Sequence, residues 1–155
     1  MSLFYSIAFP QSAPEPEPLV QQLAGEWGPT VTIVKEEQDE QLVLQDDEWL
    51  LSLRVNKRPD YYELSFGEYH YQSKWFLGYG KKDPMESLRF CLELLNKLIR
   101  SFPDDFLALF NGELVLLKRE AGQLYLNRES GVWEQPAHVA IFQDLEHSFV
   151  TYPIN

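Results

Sequence analysis

Hydrophobic and polar positions along this chain follow two periods, and the places where one gives way to the other predict its elements. Leu3, Tyr5, Ile7 and Phe9 alternate with Phe4, Ser6 and Ala8, the period of two that marks a strand buried on at least one face. Pro10 ends that strand, and Pro14, Pro16 and Pro18 keep the next stretch extended. The period then lengthens. Pro18 has the fixed φ that suits a first helical position, and Leu19, Leu23 and Trp27, with Val20 and Ala24, form one apolar stripe that Gly25 or Gly28 stops. Strands are predicted next over 30–35, 41–44, 49–55, 61–66 and 74–79. Turn chemistry separates them at Gln38-Asp39-Glu40, Asp46-Asp47, Lys57-Arg58-Pro59-Asp60 and Gly67.

The strongest helix signal follows. Asp83-Pro84-Met85-Glu86 places a capping acid, a first-position proline and a glutamate three residues beyond the cap. Met85, Leu88, Cys91, Leu92, Leu95, Leu98, Ile99 and Phe102 then repeat at helical spacing until Pro103, and Glu93 stands four before Lys97, the spacing of a weak ion pair. Asn111-Gly112 supplies the two positive-φ positions of a tight type I′ hairpin between 105–110 and 113–118, which predicts Leu109 opposite Leu114 and Leu107 opposite Leu116. Apolar residues on both faces put this hairpin inside the sheet with something packed on each side. Gly122 turns the chain into a strand over 123–127, after which His138–Phe142 reads as either a strand or a short helix. The predicted fold is α+β: one domain over 1–155, a mostly antiparallel twisted sheet with two α-helices packed on it.

Charge changes this picture because it is local. The 155 residues hold 24 acids and 13 Lys and Arg, a formal charge of −11, yet residues 1–50 alone hold ten acids and one base. Residues 51–82 are mildly basic and rich in aromatic residues. A sequence pI near 4.6 argues against nonspecific binding to nucleic acid or to an anionic membrane, both of which require positive charge. The chain lacks an apolar run of membrane length and a secretory start pattern, and Cys91 is its single cysteine, so a cytoplasmic location is expected. Glu36, Glu37, Asp39, Glu40, Asp46, Asp47 and Glu48 form a candidate electrostatic face. Tyr61, Tyr69, Tyr71 and Trp75 are its candidate anchors, since Tyr and Trp bury large areas at low entropic cost.

Catalytic signals are sparse. The chain contains no nucleophile elbow, phosphate loop or paired-cysteine motif. Asp144, Glu146 and His147 do not converge on one helical face, and Cys91 sits among leucines, where burial raises a thiol's pKa. Neither an enzyme nor a cofactor or metal site is expected. Two alternatives stay open: a ligand-binding or enzymatic domain with a pocket between the sheet and the second helix, using His70 or His138, and a homodimeric structural subunit.

From the second helix onward the chain carries Phe102-Pro103-Asp104-Asp105, Leu109-Phe110-Asn111-Gly112-Glu113, Leu116-Leu117-Lys118-Arg119, Gly122, Leu124-Tyr125-Leu126-Asn127 and Trp133. This series resembles the small bacterial immunity proteins of swarm-inhibition (polymorphic) toxin systems, best over 83–133. The resemblance implies a protein that binds and silences a cognate toxin and carries no catalytic residues. Where such a toxin is a nuclease with a basic cleft, an acidic face would imitate the nucleic-acid backbone and speed association.

Overall fold

The computed structural model describes residues 4–27, 32–36, 41–45, 50–79 and 84–153. In chain order its elements are β1 (Phe4–Phe9), α1 (Glu17–Trp27), β2 (Thr32–Glu36), β3 (Gln41–Gln45), β4 (Leu50–Asn56), β5 (Asp60–Leu64), β6 (Gly67–Tyr71) and β7 (Ser73–Tyr79). Then follow α2 (Pro84–Ser101), β8 (Phe106–Phe110), β9 (Leu114–Glu120), β10 (Gln123–Asn127), α3 (Pro136–Ile141) and β11 (Ser148–Val150). Among the described residues, nine strands form one sheet in the order β11-β10-β9-β8-β1-β7-β4-β3-β2, and β5 and β6 form a separate two-stranded ribbon. Every described pair is antiparallel except β10 with β11. The α+β prediction is borne out, and β6, which the sequence pattern did not separate from its neighbours, is the principal addition.

The alternation along β1 explains the layering. Tyr5, Ile7 and Phe9 belong to a large core that the sheet shares with α1 and α2, together with Leu53, Trp75, Leu77, Phe90, Leu95 and Leu98. Ser6 and Ala8, on the reverse side of the strand, are also fully buried. What covers them is the β5–β6 ribbon: Tyr62 donates its hydroxyl hydrogen to Ser6 Oγ at 3.3 Å. A second, smaller core of Leu64, Leu107, Leu109 and Val115, with Tyr62, Tyr69 and Tyr152 packed against it, lies under the ribbon. Helices therefore cover one face of the sheet and the tyrosine ribbon covers part of the other, which supplies both layers predicted for the 105–118 hairpin.

Three local predictions are corrected. The turn at Asn111-Gly112 takes its positive φ values of 51° and 73°, but Glu113 joins it, and a bulge interrupts the ladder between Ala108 and Leu109. Leu109 consequently faces Val115 and Leu107 faces Lys118. The bulge turns both Leu116 and Leu117 into the helix-side core while Val115 stays on the ribbon side, so the strand serves two layers out of phase. In α2, Phe90 and Leu94 are fully buried whereas Met85 is 49% exposed, because α1 and α3 both touch the helix and widen its buried arc. Glu93 pairs with Arg89 at 3.2 Å, and Lys97 reaches Glu26 of α1 at 2.8 Å instead of Glu93. The 138–142 segment resolves as the short helix α3 running into a turn.

Candidate interaction surface

The residues that carry the sequence resemblance fasten the scaffold together. Asn111 accepts a hydrogen bond at Oδ1 from the Phe4 amide (3.0 Å) and donates its own amide to the Phe4 carbonyl (2.9 Å), tying the β8–β9 turn to the start of β1. Asp105 Oδ1 accepts from the Ala121 amide at 2.9 Å. Arg119 places Nη1 on the carbonyls of Ile99 (3.0 Å) and Phe102, so a cation caps the negative end of α2. Asn127 is fully buried; its Nδ2 donates to the carbonyls of Val115 (2.8 Å) and Tyr152 (3.0 Å), and its Oδ1 accepts from the amides of Tyr152 and Glu129. Trp133 Nε1 donates to the Leu116 carbonyl at 3.1 Å.

The ribbon sorts the aromatic segment into an inner and an outer face. Register places Tyr62 opposite Tyr69 and Tyr61 opposite His70. Tyr62, Leu64, Tyr69 and Tyr71 turn inward, and Lys74 and Lys118 lie between the ribbon rings and the sheet. Lys74 Nζ stands 5.2 Å from the ring centres of Tyr62 and Tyr71 and 4.5 Å from that of Phe76. Lys118 Nζ stands 4.4 Å from the Phe66 ring and 5.8 Å from the Tyr69 ring, with Glu120 Oε2 at 2.8 Å. Two of the chain's bases thus act as pins under aromatic faces. Burial alone would lower the Lys74 pKa, but hydrogen bonds to Tyr71 and Tyr62 and the partial charge of their oxygens outweigh it and hold the ammonium above its ordinary value. Burial, reinforced by the charges of Asp105 and Glu120, pushes the Tyr69 phenol well above its usual range, and its hydroxyl is enclosed without a hydrogen-bond partner.

Of the four candidate anchors, Tyr61 alone among the described surface presents a largely free ring. It is 44% exposed and rests 5.3 Å from the His70 ring, beside Glu63 and Glu68, which face each other across the ribbon. Tyr69 is half-buried. Tyr71 (2% exposed) and Trp75 (0%) are corrected to core residues: Tyr71 packs on Tyr62, and Trp75 packs on Phe9 at 4.9 Å, so neither has surface to offer a partner. Among the candidate acids, Glu36 ends β2; Glu37, Asp39, Glu40, Asp46, Asp47 and Glu48 lie outside the described residues. The strands they join leave from opposite ends of β3, since Gln41 pairs with Glu36 and Gln45 pairs with Leu50.

His70, His138, His147, Asp144 and Cys91 each have defined surroundings. His70 lies 3.3 Å from Glu68 on the open ribbon face, while the buried His138 holds the Val132 carbonyl through Nδ1 at 2.9 Å. His147 Nδ1 binds the Leu145 carbonyl, and Arg100 Nη2 donates to both carboxylate oxygens of Asp144 at 2.6 Å, which keeps the pKa of that carboxyl below its ordinary value. Burial pushes the Cys91 thiol up, as its place in the core implies. Among the described residues, no group of three or more His, Cys, Asp or Glu is placed to hold a metal ion. No helix among the described residues is long and apolar enough to cross a membrane. A cavity of about 620 Å³ lies between the 11–17 link and strands β3, β4 and β7, a different place from the pocket beside α2 that the alternative ligand-binding reading named.

Fold and surface together define an α+β protein with a helical layer on one side of its sheet and an aromatic ribbon clamped to the other. Comparison with protein families makes this specific: the SitI3-like family model matches residues 5–137, and the chain belongs to that family. Names of the SitI type denote immunity proteins of swarm-inhibition toxin systems. The match extends the resemblance seen over 83–133 back through β1, α1 and the ribbon. No curated protein and no solved structure gives a significant match.

Proposed function

We propose that this protein is an immunity protein that neutralises a cognate toxin inside the cell by stoichiometric binding, without chemistry of its own. The observation that carries this reading is the family match over residues 5–137. The charge of −11 supports an electrostatic component, because an acidic inhibitor raises its encounter rate with a basic partner. The acids at 36–40 and 46–48 would supply the long-range field. Tyr61, with its ring exposed and its edge flanked by Glu63 and Glu68, would be the desolvated anchor, and Tyr69 would support it from beneath.

The test is co-purification of the tagged protein from its source cells together with the product of the adjacent gene. A complex of fixed stoichiometry is expected, and its association should slow when the acids are neutralised. Failure to recover a protein partner would sink the proposal, as would an association rate and salt dependence that do not respond to neutralisation. Tyr61→Ala is expected to raise the dissociation rate of that complex about 10-fold or more, the range of an interface anchor.

A further inference from the structure

The β5–β6 ribbon is polarised across its thickness. On its outer face Tyr61, Glu63, Ser65, Glu68 and His70 are exposed, while Leu64 and Tyr71 at alternate positions are buried. Residues 60–71 contain three acids and no Lys or Arg. Lys74 and Lys118 reach the ribbon from beneath, against the rings of Tyr62, Tyr71, Phe66 and Tyr69. Ammonium groups therefore underlie the ribbon and carboxylates face outward.

The outer face also has an order. Glu63 and Glu68 stand directly opposite each other, which puts their Cβ atoms about 5 Å apart and makes like charges oppose the pairing. Glu68 Oε1 lies 3.3 Å from His70 Nε2, in a position so open to water that the contact contributes little. Tyr61 and His70 form the neighbouring pair on this face, with rings 5.3 Å apart and inclined by 31°. In the other direction, at the ribbon tip, Phe66 is 36% exposed and rests on Tyr152. A carboxylate pair is thus bracketed by aromatic surface at both ends, and alternate residues of a strand are about 7 Å apart.

A cation seated between Glu63 and Glu68 would relieve their repulsion. A guanidinium suits the place best, because its fork reaches carboxylates in two directions while its plane stacks on a tyrosine ring. The aromatic rings on either side call for apolar neighbours, which a free cation does not carry.

We propose that this face binds an extended segment of a protein partner in which one arginine is flanked, two residues away on each side, by apolar side chains. The arginine lies between Glu63 and Glu68, and the apolar side chains cover Tyr61 and Phe66. The inference rests on the binding role proposed above and adds to it the chemistry of the partner's segment.

The experiment is a titration of the full-length ¹⁵N-labelled protein in dilute salt, following the amides of 60–71. The probe is the end-capped pentapeptide Leu-Ser-Arg-Ser-Leu, whose extended form turns its arginine and both leucines to one side. It is expected to shift the Tyr61, Glu63, Glu68 and His70 resonances saturably, with a Kd of about 1 mM or tighter. The same peptide with glutamine in place of arginine, and capped arginine alone, should each bind at least about 10-fold more weakly. Glu63→Gln with Glu68→Gln should weaken the arginine peptide by a similar factor. Removing the same charge at Glu129 and Glu134, which are exposed outside the ribbon, should leave its affinity unchanged. No saturable shift, equal binding of the glutamine peptide or of capped arginine, or equal losses from the two charge-neutralised pairs would overturn the proposal. The titration needs no toxin, so the two readings fail separately. A recovered partner without a selective shift removes this inference alone, and a selective shift without a recovered partner removes the immunity reading alone.

Discussion

Asn127 shows how one side chain can hold three segments. Its amide joins β9 through Val115, the turn after β10 through Glu129, and the tail through both polar backbone atoms of Tyr152. Asn127→Ala would strand several of these buried groups, so a loss of about 2–3 kcal/mol is expected in urea unfolding. The loss should come with faster amide exchange in 148–152 than in β8. Tyr69 makes the opposite case. Its hydroxyl is enclosed and unpartnered, while its ring still faces Lys118. Tyr69→Phe removes a desolvated hydroxyl and keeps the ring, and is expected to be neutral or to stabilise by up to about 1 kcal/mol, read as an unchanged or raised denaturation midpoint. A drop of more than about 1 kcal/mol would show that the hydroxyl has a partner.

The β5–β6 ribbon is the element where packing and protonation meet. It belongs to a separate sheet and is held by the small core of Leu64, Leu107, Leu109 and Val115, by the two lysine pins, and by Phe66 against Tyr152 at 4.8 Å. With so little apolar contact beneath it, the ribbon should open below the global unfolding free energy, with its amides exchanging faster than those of β1 and β8. Its pH dependence has a defined sign. Lys74 and Tyr69 both keep their protons in the folded state at pH values where the unfolded chain releases them. Their contribution is fully present through neutral pH and is lost as pH rises beyond about 10. An absorbance titration of the tyrosines should show a late fraction that ionises only as ribbon exchange accelerates, and Tyr69→Phe should diminish that fraction. The ribbon also marks where the sequence was legible and where it was not. Most strands, the two long helices and the layer on each side of β8 were readable because burial imposes a period on them, whereas β6, α3 and β11 are too short or too exposed to carry one. The inward turn of Tyr62 and Tyr69 was not readable, because Tyr61, Tyr62, Tyr69 and Tyr71 are chemically alike and only the 60–71 register separates them. Trp75 was misplaced for the same reason: an indole suits a core and an interface equally, and its pairing with Ile7 and Val55 decides for the core. The hairpin register failed at a bulge that no turn residue announces.

At the scale of the whole molecule, the excess negative charge has to be considered with the sheet's geometry. Gln41 and Gln45 bound β3, and four residue steps of about 3.4 Å separate the departure points of the two acid-bearing connections by about 14 Å. That spacing exceeds the screening length of about 8 Å at 0.15 M salt and falls well within the roughly 30 Å at 0.01 M. If these acids supply the proposed field, they would act together in dilute salt and separately under physiological conditions. Neutralising Glu37, Asp39 and Glu40 together, or Asp46, Asp47 and Glu48 together, is expected to slow toxin association at about 0.01 M by either route. At about 0.15 M, only the triplet at the end that meets the partner should still matter, and it alone should alter the dissociation rate. Stopped-flow association measured at both salt concentrations separates the cases. Two triplets with equal effects at 0.15 M would require a partner broad enough to span both ends of the sheet edge, and two triplets without effect at 0.01 M would remove electrostatic steering from the mechanism.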